Sequence, residues 1–314
     1  MLRWQEVERE RGVVVLLIVT VAAFLAYRNF KESKQFSTNM SRNNPAVEDP
    51  KLIDLCEKLW DLDKNRLEPD KDYKLDLQGR AKYSYDGPDR AKDPLFEFVD
   101  ENVFKRDTYK AFIALLDNYE KETGVPEVVT KQEEAENWTF VNLVMKSNVM
   151  KEAYKFLKEQ RKADADFDNF RKEFYNMWFR LYRRTRGERT QDSSGFEHVF
   201  VGETRGDKEV IGLHNWIQFY LQEKRGSIDY KGFMSGGRNP HMVTVQFAWK
   251  EEVKPKGSIL IGVSPEFEIT LYTVIFLMGY EAASITLGGD DVLVKCHKTA
   301  GKIGTCYPIA LRKK

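Results

Sequence analysis

The sequence predicts an α+β protein: a helical N-terminal half followed by a mixed α+β half, whose antiparallel sheets carry a cleft. Up to about residue 190, apolar residues recur at helical spacing. Beyond it they alternate in short runs set off by glycine and proline. The 314 residues, 32% charged and 13% aromatic, describe a globular chain long enough for a sizeable core.

The elements follow in chain order. Residues 1–12 are a short tail. Residues 13–27 form a long apolar run, with Arg9 and Arg11 before it and Arg28, Lys31 and Lys34 after it. The run is slightly short of the ~17–25 residues of a bilayer span. It reads as a signal anchor or a signal peptide. Glu6, Glu8 and Glu10 ahead of it, and the lack of a small-residue cleavage site, favour an uncleaved anchor in the membrane. The rest of the chain is then lumenal or extracellular, and a secreted protein is the alternative. Residues 28–47 read as a polar linker. Sequons at Asn39 and Asn137 agree with that route.

From residue 48 to 314 the pattern is that of a folded domain, with a helical lobe over about 48–190 and a second lobe over about 191–314. Leu52, Ile53, Leu55, Leu59 and Trp60 predict an amphipathic helix over 51–62, and 66–93 read mostly as loop. Residues 94–123 read as helix, with Phe112, Leu115, Leu116 and Tyr119 on one face and Gly124 as the stop. Two helices are expected over 131–187. Phe167, Phe170, Phe174, Trp178 and Leu181 form a stripe that belongs in the core. The cluster Arg180, Arg183, Arg184, Arg186 and Arg189 reads as a solvated helix end, with phosphate steering as the alternative. Alternation predicts a half-buried strand over 242–249 and a second strand over 258–263. Ser264 then caps a helix with Pro265 in its first turn, buried from Phe267 to Met278. Residues 292–297 and 303–310 read as a hairpin turning near Ala300-Gly301.

Composition narrows the chemistry. Lys plus Arg is 50 against 49 for Asp plus Glu, a net charge of +1, so any nucleic-acid contact must use a local basic cleft. Three cysteines are too few for a disulfide framework; Cys296 and Cys306 read as one bridge or as free core thiols alongside Cys56. The short paired spacings of a zinc site are missing. So are a Walker loop, HExxH and GxSxG. What remains is a polar set in the second half: Glu197, His198, Glu203, His214, Lys254, Thr305 and Tyr307. The chain has four histidines. His198 lies among Phe196, Val199, Phe200 and Val201, a half-buried, strand-like setting. His214 follows Gly212 and precedes Asn215-Trp216, at a helix start that biases an imidazole toward neutrality.

Ser-Gly-Phe-Glu-His-Val-Phe-Val-Gly-Glu at 194–203, Gly-Leu-His-Asn-Trp at 212–216, Ile-Gly-Val-Ser-Pro-Glu-Phe-Glu at 261–268 and Thr-Cys-Tyr-Pro at 305–308 resemble the EndoU family of poly(U)-specific endoribonucleases. Leu-Leu-Asp-Asn-Tyr at 115–119 is similar to its helical half. The resemblance covers roughly 48–312. It implies manganese-dependent cleavage of single-stranded, uridine-rich RNA, leaving a 2′,3′-cyclic phosphate. It implies His198 and His214 as the catalytic pair; His214 is read as base and His198 as acid, an assignment the sequence itself leaves open. It implies Lys254 as the catalytic lysine, with Lys256 as the competitor, and Thr305 and Tyr307 as contacts to uridine and ribose. Glu197 and Glu203 match its acidic residues and are expected at the substrate. No cluster marks the manganese ligands. A monomer is expected. The alternative is a non-catalytic ectodomain of the same fold that binds RNA or phospholipid.

Overall fold

The computed structural model describes residues 46–185, 190–206, 209–235 and 240–310. The tail, the apolar run 13–27, most of the linker and Asn39 lie outside them. Among the described residues no helix is long and apolar enough to cross a membrane.

Among the described residues the first half holds five α-helices and a small antiparallel ribbon. Helix α1 (Pro50–Leu62) starts at Asp49, whose side chain accepts from the Lys51 amide, and buries Leu52, Leu55, Leu59 and Trp60. The expected helix over 94–123 is three shorter pieces. Phe96–Val99 (β2) pairs with Tyr73–Leu75 (β1), a short 3-10 turn spans Glu101–Lys105, and α2 runs only over Asp107–Ala114. Asp100 explains the break, because its carboxylate caps the 3-10 turn through the Asn102 amide. The two helices expected over 131–187 are three: α3 (Lys131–Lys146), α4 (Asn148–Glu159) and α5 (Phe167–Trp178). Ser147 separates the first two by capping α4 through Met150, and Asp166 restarts the chain as α5 through Asn169. Asn137 sits on α3 and is 4% exposed, so its sequon is a buried structural position rather than a glycan site.

The second half holds three antiparallel sheets and two helices. A ribbon pairs β3 (Glu203–Arg205) with β4 (Glu209–Ile211), and α6 (Trp216–Lys224) follows. Strands β5 (Ile228–Ser235), β6 (Met242–Trp249) and β7 (Glu252–Leu260) form a sheet with β6 in the middle. Every residue of β6 is buried, so it is not the half-buried strand its alternation suggested. Helix α7 spans Pro265–Met278, with Ser264 Oγ accepting from the Phe267 amide at 3.1 Å. Strands β8 (Ala282–Leu287), β9 (Asp290–Thr299) and β10 (Lys302–Ala310) close the chain, turning at Ala300-Gly301 with both residues at positive φ. Cys296 and Cys306 are direct cross-strand partners joined by a disulfide, and Cys56 is a buried free thiol.

One hydrophobic core runs through both halves. Its axis is α7, which touches α1, α2, α3 and α4 on one side and β9 and β10 on the other.

Candidate active site

Four segments far apart in sequence meet around two imidazoles. The first is a single π turn over Glu197–Val201, closed by the Gly202 amide donating to the Glu197 carbonyl at 2.8 Å. Its apolar residues are buried around a helical turn, which corrects the strand-like setting expected for His198. The second segment, 212–215, is zipped to this turn. The Leu213 amide donates to the His198 carbonyl at 3.0 Å and the His214 amide to the Val199 carbonyl at 2.8 Å. Only glycine permits that approach, because a Cβ on Gly212 would lie 1.9 Å from the His198 oxygen. Leu213 takes a left-handed φ of 55°, a cost of roughly 1–3 kcal/mol of the kind found at functional sites. His214 then directly precedes Asn215, the cap of α6, as its sequence context predicts.

The two rings lie 6.5 Å apart, centroid to centroid. Each is held by its Nδ1. His214 Nδ1–H donates to the Ser258 carbonyl at 3.1 Å, and His198 Nδ1–H donates to Glu203 Oε2. Both Nε2 atoms are therefore left for other work. Burial lowers His198 well below the ordinary histidine value, and the Arg184, Lys254 and Arg205 cations push the same way. His214 is lowered by burial and then by Lys254 and His198.

The third segment is β7. Lys254 is buried and, as those shifts show, close to both rings, whereas Lys256 is exposed. Two residues apart on a regular strand, they would share a face. A bulge intervenes, since Val245 pairs with Gly257 but Phe247 pairs with Lys254. Burial lowers Lys254 to about 8.

The fourth segment is β10. Tyr307 stacks on His214 with centroids 5.0 Å apart and planes 18° apart. Thr305 precedes it on the same face, next to a bulge at Gly304, and its hydroxyl is buried without a hydrogen-bond partner among the described residues.

Two expectations change. Glu197 and Glu203 are fully buried, so neither lies at the surface where a substrate binds. Glu197 instead closes the π turn's entry, accepting from the Ser194 amide at 3.1 Å while Ser194 Oγ accepts from its own amide. Burial raises it well above the usual carboxylate range, and Glu203 and Glu127 add to the shift. Arg184 is no solvated helix end. Helix α5 stops at Trp178, and the part-buried guanidinium sits between Glu203 Oε2 at 3.1 Å and the Gly304 carbonyl at 2.8 Å. Arg180 and Arg183 are exposed, while Arg186 and Arg189 lie outside the described residues.

Sequence reasoning missed Arg184, the Ser258 carbonyl and Glu268. The last is a buried acid that accepts from Asn215 Nδ2 at 2.8 Å and from the Tyr272 hydroxyl at 3.0 Å. Its one signal was an acid near the start of a mostly apolar helix.

Manganese does not fit the donors present. Among the described residues no three His, Cys, Asp or Glu side chains group as metal ligands. The unpartnered oxygens of Glu197 and Glu203 are sealed from solvent, with the Arg184 cation against Glu203.

An α+β fold that brings two tethered imidazoles and a buried ammonium to one centre defines an acid–base enzyme. The family model described as Endoribonuclease XendoU matches residues 51–308. Uridylate-specific endoribonuclease B of Danio rerio is 51% identical over 275 residues, 84% of this chain and 97% of that one. Poly(U)-specific endoribonuclease-A of Xenopus laevis is 46% identical over 274 residues, 83% and 94% of the two chains. The solved structure of XendoU, described as a splicing independent snoRNA processing endoribonuclease, matches with a TM-score of 0.75 at 44% identity, covering 85% of this chain and 99% of that one. The chain belongs to the XendoU endoribonuclease family.

Proposed function

We propose that this chain is a uridylate-specific endoribonuclease that cuts single-stranded RNA by attack of its own 2′-hydroxyl. The observation that carries the reading is the pair of imidazoles 6.5 Å apart, each fixed through Nδ1. In the reaction the O2′–P bond forms and the P–O5′ bond breaks, leaving a 2′,3′-cyclic phosphate and a 5′-hydroxyl. His214 is the base: among the described residues its ring is bonded to the Ser258 carbonyl, and burial, then Lys254, keep it neutral, as does its place at the start of α6. His198 is the acid: burial keeps the free ring neutral, and the anionic phosphate of bound RNA, with Glu203 holding Nδ1, favours the imidazolium that gives a proton to the 5′-oxygen. Lys254 faces the negative charge of the phosphorane.

The unpartnered Thr305 hydroxyl supplies a contact to the uracil edge, and the Tyr307 ring packs against the sugar or base. Glu197 and Glu203 act through the π turn and His198 rather than on RNA. No step is routed through manganese. Residues 13–27 serve as signal anchor or signal peptide. The Cys296–Cys306 bridge favours an oxidising compartment, outside the cytosol.

The test is cleavage of matched uridine and cytidine oligonucleotides by the full chain, with manganese supplied. Cleavage at uridine is expected. His198→Ala and His214→Ala should each lower kcat by roughly 100- to 10,000-fold. An uncut uridine substrate, bound with equal affinity by wild type and both variants, would instead mark a non-catalytic RNA binder.

A further inference from the structure

The segment between β1 and β2 carries two exposed aromatic rings that the mechanism does not use. Tyr83 is 64% exposed and Tyr85 44%. Their rings meet edge to face, 6.2 Å apart, so neither covers the other completely. Exposed tyrosines on a loose loop would mean little. These are held. The segment is pinned to β5 where the Ala81 amide donates to the Phe233 carbonyl at 2.8 Å and the Arg90 amide to the Lys231 carbonyl at 3.1 Å. Gln246, buried on the central strand β6, donates to the carbonyls of Lys82 and Ser84 on either side of Tyr83.

The pair is also continuous with the catalytic centre. The Tyr85 hydroxyl donates to Glu209 Oε1 at 3.4 Å. Glu209 lies opposite Arg205 on the β3–β4 ribbon, with the guanidinium 4.0 Å from its carboxylate. Arg205 is mostly exposed and ends the strand that begins at Glu203, the residue that holds His198 Nδ1. The strand that carries Glu209, β4, also packs against β7, which carries Lys254. A path therefore runs from the two imidazoles, past an exposed cation, to a fixed aromatic pair. Single-stranded RNA asks for that sequence of groups, with cations along the phosphates and rings under the bases.

We propose that Tyr83 and Tyr85 form a stacking platform for an unpaired base flanking the cleaved uridylate, with Arg205 on the phosphate between them. The assignment rests on the nuclease reading above and extends the substrate site beyond one nucleotide. Stacking tolerates any base, so the platform adds affinity without changing the choice of uridine.

The test uses the full chain and oligonucleotides with a single uridine. An abasic linker is walked through three positions on each side of it. In wild type one position should raise KM by roughly tenfold when its base is removed. In the Tyr83→Ala/Tyr85→Ala variant that penalty should vanish, while Tyr83→Phe/Tyr85→Phe, which keeps the rings, should retain it. If the double variant does not fold, Tyr83→Ala alone makes the same comparison, since Tyr83 is the more exposed ring. 2-Aminopurine at the sensitive position should be quenched on binding wild type and restored in the alanine variant. Equal abasic penalties in wild type and alanine variant at every position, or unquenched 2-aminopurine throughout, overturn the platform. Wild type that cuts none of these substrates overturns the nuclease reading instead.

Discussion

Lys254 keeps an ammonium in a buried position, and burial lowers its pKa to about 8. The charged form is therefore lost as pH rises through about 8, and an ammonium needed at the phosphorane is lost with it. Turnover should fall on that limb. Lys254→Arg, whose side chain stays charged above pH ~12, should move the limb upward, and a pH profile of kcat/KM measures the shift. Lys254 was legible only as one of two candidates that the family resemblance implied, and its separation from Lys256 was not. The bulge that sends them to different faces is a property of pairing with β6 rather than of the local sequence. Arg184 was hidden for a different reason. Five nearby arginines look alike in sequence, and only the end of α5 at Trp178 decides which one turns inward to Glu203. The Ser258 contact uses a backbone carbonyl, which any residue would supply.

At the level of elements, α7 bears two acids, Glu266 and Glu268, on a helix buried almost throughout. Burial raises Glu268 to about 8 from an ordinary value of 4.5, against the pull of Asn215 and Tyr272. The native state thus holds a proton that the unfolded chain releases near 4.5. This contribution to stability is present at low pH, declines as pH rises from about 4.5 to about 8, and then levels off. Glu268→Gln, which can still accept from Asn215, should remove a slope on the order of 3 kcal/mol between pH 5 and pH 8. Urea melts of wild type and variant at the two pH values would reveal it; equal slopes would sink the idea. The start of α7 was readable from Ser264 and Pro265, and the final hairpin from Ala300-Gly301. The breaks at Asp100 and Ser147 were not, because the helical spacing of apolar residues continues past them and only the caps mark where the chain turns.

For the whole molecule, the Cys296–Cys306 bridge ties together neighbouring strands beneath the face that carries Thr305 and Tyr307. Paired Cys296→Ser and Cys306→Ser substitutions should cost about 2–3 kcal/mol, the value for closing so short a loop. Calorimetry of the oxidised and serine forms measures the loss. The α+β class was legible because each half shows its own periodicity. The way the halves meet was not, since periodicity says which face is apolar but not what covers it. Here α7, reached through the strand that supplies Ser258, is also the surface on which α1 to α4 bury their apolar faces. The scaffold and the catalyst are the same object: the core that α7 organises is shared by both halves of residues 46–310, so separating the halves would split it.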